Sequence, residues 1–401
     1  MSQVLRTLLL RTRRRLPYAG VAGALLVLAA CAGGPEMFNN PPPSAVQPQQ
    51  AAVPGAGQVK VALILPLSAS GNAGLAAQSM KNAAEMALVE FNSPNVLLVV
   101  KDDNGTPAGA QQAAQQAIDE GAEVILGPLF AQSVQAAAQV ARPRNIPIIA
   151  FSTDASVAAR GVFLLSFLPE SDVNRVIGYA TANGKRSFVA LMPDNSYGSV
   201  VEAAFQQTVS RRGGRVVGLE RYPLPPDKLK LQDPAKVIAQ SAAQADALFI
   251  PDGADAVPLV VQTLGAQGLT KKVQLVGTGL WDDPRIFAEA SLQGAWYAAP
   301  DSAGYAAFAT RYKTKFGQEP VRTATLAYDA SALIAALVKT HGGGKITDEL
   351  LTNTSGFAGI DGIFRFRQDG TNERGLAVLK VTPTGGQVVS PAPKSFGGSG
   401  T

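Results

Sequence analysis
Ser68, Ser70, Ser152, Thr153, Asn195 and Ser196 all stand in short turns that follow apolar runs, with Tyr197 beside the last two. Hydroxyls, amides and backbone N–H groups in such turns can hold a small polar solute, and the Tyr197 ring could cover an apolar or planar part of it. The same residue types also serve as turn and helix N-cap residues, so both readings stand at this stage. Groups suited to catalysis are scarce. The single histidine, His341, lies between a helical pattern and three glycines, where it suits the negative end of a helix. With one His and one Cys, a histidine triad, an internal disulfide and a multi-cysteine metal site are excluded. No nucleophile elbow, phosphate-binding loop or zinc-protease motif occurs. Asp102 and Asp103 could pair as acid and base, but a solvated strand end explains them as well. The chain is therefore expected to be no enzyme and to carry no cofactor or metal.

The elements that would position these turns alternate. Residues 59–65 (VKVALIL) form an apolar run stopped by Pro66, as a strand buried on both faces requires. A helical pattern at 72–92, a strand at 96–100, a helix at 107–120, a strand at 123–126, a helix at 131–141 and a strand at 146–150 follow. After Pro169 the rhythm restarts, with strands at 187–192, 215–219, 247–250 and 273–276 between helices at 171–183, 197–212, 233–244 and 254–267. Such alternation predicts βαβ units, hence an α/β fold with two doubly wound, Rossmann-like blocks. Helices at 302–316 and 323–340 come next, with a short one at 346–353. Two β runs, 361–367 and 376–381, flank Asp369-Gly370 as a predicted hairpin. In open sheets of this class ligands sit outside the carboxyl ends of the strands, where the loops 66–74, 127–132, 151–154 and 193–198 fall.

The formal charge of +5 is concentrated at the N-terminus. Residues 1–30 hold Arg6, Arg11, Arg13, Arg14 and Arg15 and no acid, which leaves residues 31–401 neutral. A neutral body has no footprint for nucleic acid. Residues 18–30 (YAGVAGALLVLAA) are apolar but too short to span a bilayer as a helix, and with the basic stretch before them they read as an export signal. The signal ends in LAAC, which resembles a bacterial lipobox, so Cys31 is expected to be lipidated and to anchor the chain to a membrane on the periplasmic side. Ala32 in place of Asp favours the outer membrane. Residues 31–57, rich in Pro, Gln, Ala and Gly, are expected to form a disordered tether that reaches on the order of 80 Å at roughly 3.3 Å per residue. Residues 386–401 are expected to be a frayed tail.

Several ordered motifs carry a family resemblance. Residues 61–68 (VALILPLS), Gly71, Gly74, 82–88 (NAAEMAL), Asp102-Asp103, 125–128 (ILGP), 146–153 (IPIIAFST) and 194–198 (DNSYG) resemble type I periplasmic binding proteins, the leucine/isoleucine/valine- and amide-binding receptors of ABC transporters. Residues 127–130 (GPLF), 150–154 (AFSTD) and 361–366 (DGIFRF) look like a lipoprotein branch often called penicillin-binding protein activators. The resemblance implies two lobes joined by three crossovers around a solute cleft. It places 58–170 plus about 300–345 in lobe 1 and 171–299 plus about 346–385 in lobe 2. It also implies ligand contacts at Ala131 and Thr153, where the family holds a carboxylate, although Ala131 stands where a serine is expected; Phe130 lies in the same cleft turn as Ala131. The family's acid for a ligand ammonium falls near Gly279 in the segment 276–282 (VGTGLWD), with Asp282 as a substitute; Asp283, Asp252 and Asp255 are further candidates, and Trp281 either caps the cleft or belongs to core or hinge. The partners so implied are a small-molecule ligand of the amino-acid or amide class and an ABC permease, or alternatively a penicillin-binding protein that the chain activates.

Overall fold
The structure is a computed structural model that describes residues 58–269, 273–342 and 345–396. The expected signal, the lipidation site Cys31 and the tether lie outside the described residues. β1 (Val59–Leu65) is buried almost throughout because it is an interior strand of a five-stranded parallel sheet, paired on both sides. α1 (Asn72–Glu90), β2 (Val96–Asp102), α2 (Pro107–Asp119), β3 (Val124–Leu126), α3 (Ala131–Ala141), β4 (Ile148–Ala150) and β5 (Val162–Leu164) complete the first wind. The strand order is β2-β1-β3-β4-β5, so the order reverses beside β1 and opens a crevice at its carboxyl end. At the end of β3 the backbone turns at Gly127 (φ +90°), where a Cβ would lie 2.1 Å from the carbonyl oxygen of Ile64. Only glycine permits that approach.

A second wind starts with α4 (Pro169–Ala182) and continues through β6 (Ser187–Pro193), α5 (Ser196–Arg211), β7 (Arg215–Tyr222), α6 (Lys228–Ser241), β8 (Ala247–Phe249), α7 (Val257–Ala266), β9 (Gln274–Gly277), α8 (Pro284–Phe287) and β10 (Trp296–Ala299). α6 starts five residues earlier than expected. Asp227 caps it by accepting from Lys230 N at 2.9 Å, and the helix then runs through Pro234, which in sequence reads as a first-turn residue.

The chain returns to the first lobe as α9 (Ser302–Phe316) and α10 (Ala324–His341). α10 is buried nearly all round, its Leu326, Ala330 and Ile334 packing with Ala77, Met80 and Ala84 of α1 and with the first sheet. α11 (Asp348–Leu351) leads to β11 (Phe357–Gly359), β12 (Gly362–Phe366) and β13 (Asn372–Arg374), a three-stranded antiparallel sheet whose Phe364 and Phe366 enter the same core. β14 (Ala377–Thr382) and β15 (Gly385–Ser390) then cross back and extend the second sheet to seven strands, β15-β14-β10-β9-β8-β6-β7. Residues 346–385 are thus shared between the two cores.

Three expectations are corrected. The hairpin at Asp369-Gly370 pairs β12 with β13, not with the run at 376–381, which lies antiparallel to β10. β5, β10, β11, β13 and β15 were not foreseen. Residues 386–390 do not fray: β15 pairs with β14, and Arg175 of α4 donates to Ser390 Oγ at 2.7 Å and to the carbonyl of Pro391 at 3.1 Å. No described helix is long and apolar enough to cross a membrane.

Candidate functional site
The carboxyl ends of the first sheet gather one group of turns. Ser68 Oγ donates to Asn104 Oδ1 at 2.7 Å, and Asn104 N donates to Asp102 Oδ1 at 2.9 Å. Burial pushes Asp102 up, but the hydrogen bonds from Asn104 and Ser68 outweigh it and hold the carboxylate below its usual range. Asp103 is fully buried and burial pushes it up; one oxygen accepts from Gly105 N and the other has no partner. Phe130 is 39% exposed at this mouth, next to Gly105. Ala131 opens α3, half-buried, and Ser70 is exposed. Ser152 is buried and its Oγ accepts from Asp154 N at 3.1 Å, leaving Thr153 as the exposed hydroxyl of that turn.

A second group forms at the carboxyl ends of the second sheet. Asn195 caps α5, its Oδ1 accepting from Gly198 N at 2.8 Å, and thereby sets Tyr197 in the first turn. Tyr197 is half-buried and its hydroxyl lies 3.1 Å from Thr278 Oγ1. Burial raises the Tyr197 pKa, and the charges of Asp172 and Asp252 raise it further. Asp252 itself accepts from the Tyr222 hydroxyl.

Asp172 was not foreseen. It sits in the first turn of α4 and its Oδ2 accepts from Gly279 N at 2.9 Å, across 107 residues of sequence. Burial pushes its carboxyl up to about 7, partly offset by the Gly279 amide; the neighbouring Glu170 adds to the rise, and Arg374 opposes it. A Cβ at position 279 would lie 3.1 Å from that carboxylate oxygen and 3.2 Å from the Ala298 carbonyl. The carboxylate thus occupies the space a side chain from position 279 would enter. Its only sequence signal was a pair of acids, Glu170 and Asp172, at a helix start, which the helix dipole alone explains.

Two expected contacts sit elsewhere. Trp281 is fully buried in the core beneath the second sheet, among Ile286, Leu292 and Tyr297, so it does not cap a cleft. Its ring packs on Gly277, where a Cβ would lie 2.1 Å from the indole. Asp282 is exposed, with Oδ1 accepting from the Tyr297 hydroxyl at 3.0 Å, and Asp283 caps α8.

The start of α4 links the groups: Glu170 feels the charge of Asp154 in the first lobe, while Asp172 holds Gly279 in the second. Away from the crossovers, no described helix or strand of one lobe packs broadly on the other. No described cluster of His, Cys, Asp and Glu has the makings of a metal site.

Comparison with known proteins agrees with this architecture. A putative branched-chain amino acid ABC transporter protein from Rhodospirillum rubrum superposes with a TM-score of 0.74 at 20% identity, over 83% of this chain and all of that one. The branched-chain amino acid binding protein LivJ of Streptococcus pneumoniae, in complex with isoleucine, gives 0.57 at 19% identity, over 83% and 100%. The penicillin-binding protein activator LpoA of Pantoea ananatis is 25% identical over 202 residues, 46% of this chain and 29% of that protein. The chain spans less than two thirds of the length of the curated relatives it matches. Residues 58–387 match the family model described as periplasmic binding protein, and the chain belongs to that family.

Proposed function
We propose that this chain is a lipid-anchored periplasmic solute-binding protein that closes its lobes around a small polar ligand of the amino-acid or amide class for an ABC-type uptake system. The observation that carries the reading is the floor formed by Asp172, the Gly279 amide, Tyr197 and Thr278. A carboxylate enclosed by protein offers a counter-charge or an acceptor to a ligand's N–H end. Hydroxyl and backbone donors at Ser68, Ser70, Ser152 and Thr153 on the other lobe suit its carboxyl or amide oxygen, with Phe130, Ala131 and Asn195 at the rim. Ligand contacts to both lobes would shift an open–closed equilibrium, and family membership supports a binding role over a catalytic one. The test is a thermal-shift screen of the full chain in detergent against amino acids, their amides and aromatic carboxylates. A saturable rise of several degrees with one compound supports the reading by linkage, and no rise with any compound overturns it.

The partial match to LpoA favours a second reading, in which the body is an interaction module that activates a penicillin-binding protein. Co-purification of such a synthase together with a silent ligand screen would select it. In either case Cys31→Ser is expected to release the protein from the membrane fraction.

A further inference from the structure
A groove of about 820 Å³ opens beside α4, between the last turn of α5, the β12–β13 turn and the segment after β15. Its wall carries Arg175, Arg211, Arg212, Arg367 and Arg374. The acids there are already engaged. Glu373 is bound by Arg365 at 2.7 Å and faces Arg367 at 3.5 Å. Asp369 turns back onto Thr371, accepting from its amide at 2.9 Å and its hydroxyl at 2.6 Å. Glu170 is the exception: burial pushes its carboxyl up, Arg367 opposes the rise, and Oε2 has no hydrogen-bond partner.

Four of these guanidiniums, Arg175, Arg211, Arg212 and Arg374, have no carboxylate partner among the described residues. Arg211 donates to Asn174 Oδ1 at 2.8 Å, and Arg212 lies along α4 against Gly178. Arg175 donates only to neutral oxygens, those of Leu376, Ser390 and Pro391. Arg374 is 94% buried, and its Nη1 and Nη2 have no hydrogen-bond partner. The dipole of α5 accounts for cations at its own end, Arg211 and Arg212, but Arg175 comes from another helix and is half-buried without a counter-charge.

We propose that this groove is a second binding site, for a compact polyanion with two or three closely spaced carboxylate or phosphate groups, which Arg211, Arg212 and Arg175 would hold. Guanidinium forks match both oxyanions bidentately, and several converging forks select multiple charge over a single one. None of its residues belongs to the ligand floor, although Glu170 and Arg374 on its wall act on Asp172, and the proposal does not rest on the solute reading above.

Equilibrium dialysis of the full chain with labelled pyrophosphate, and calorimetry with citrate, test it. Saturable binding of either is expected, with inorganic phosphate and acetate weaker. The pair Arg211→Gln/Arg212→Gln should weaken binding by about tenfold or more, with an unchanged melting curve. The control pair Arg144→Gln/Lys236→Gln removes the same charge outside the groove and should change affinity less than about twofold. Tighter pyrophosphate identifies a phosphate ligand and tighter citrate a carboxylate one, and both support the site. Failure of both probes to saturate overturns it, as does an equal loss from the control pair.

Discussion

The Asp172 carboxylate accepts a hydrogen bond from the backbone amide of Gly279, joining the first turn of α4 to the end of β9. This contact puts an acid at the second lobe's half of the crevice while the loop after β9 supplies only backbone. Asp172→Asn keeps an oxygen for Gly279 N but removes the charge. If the ligand presents an ammonium, affinity should fall about tenfold to a hundredfold with little change in melting temperature. Calorimetry on the compound found in the ligand screen checks this. Equal affinity would mean that the acid holds only the loop.

Position 279 should tolerate little. Gly279→Ala brings a methyl to 3.1 Å from Asp172 Oδ2 and 3.2 Å from the Ala298 carbonyl, so the amide–carboxylate bond has to lengthen. The variant is expected to fold and to lose ligand affinity in parallel with Asp172→Asn. The double variant should therefore be less than additive, which a double-mutant cycle measures.

Much of the fold was readable from sequence because burial on both faces leaves a periodic trace. The VKVALIL run of β1 ends at Pro66, and its neighbours alternate with helices of ten to twenty residues. β5 (VFL) and β10 (WYAA) have three and four residues and carry no such trace; parallel pairing with β4 and β9 makes them strands. β15, with Gly385 and Gly386 at its start, owes its order to pairing with β14 and to Arg175, which stands 215 positions from Ser390. The site was half-readable for the same reason. Tyr197 and Asn195 stand in a turn whose chemistry is local, whereas Asp172 matters only through a residue 107 positions away. Trp281 was ambiguous because an indole suits a cleft and a core equally, and the neighbour that decides, Gly277, has no side chain to advertise the space.

That packing yields a stability prediction. Gly277→Ala places a Cβ 2.1 Å from the Trp281 ring inside the second core, where nothing can yield cheaply. Destabilisation of about 1–3 kcal/mol or more is expected, and Trp281→Ala should cost roughly 3–5 kcal/mol by leaving a cavity. Urea unfolding at constant m-value measures both.

Stability should also depend on pH. Burial raises Asp172 and Asp329 to about 7 each, in the latter case against the pull of Arg374 and of the Ile360 amide. A carboxyl raised in the folded state binds its proton more tightly there than in the unfolded chain. Stability from these groups is therefore full below about pH 4, falls as pH rises through 7, and is level above. Asp329→Asn removes one of the two: Oδ1 still accepts from Ile360 N, now at 2.8 Å, while the partnerless Oδ2 becomes an amide nitrogen. The variant should show a shallower loss of melting temperature between pH 5 and 8, and an unchanged slope would assign the titration elsewhere.

The buried Asp361 poses the sharper test of how the first lobe is held together. Both its oxygens accept from Arg322, at 2.8 and 2.5 Å, and Thr325 Oγ1 donates at 2.6 Å. Arg322 in turn stacks over Phe167 and Tyr305, with Arg374 over Phe167 as well. Removing the acid leaves one guanidinium without its charge partner and brings two cations together across one ring. Asp361→Ala should thus cost about 3–5 kcal/mol, more than a surface ion pair is worth. Asp361→Ala/Arg322→Met, which deletes the charges together and keeps an apolar stem on Phe167, should recover a large part of that loss. Guanidinium chloride unfolding of the four proteins in the cycle gives the coupling. A double variant no more stable than Asp361→Ala would show that the aromatic stack, not the ion pair, carries the contact.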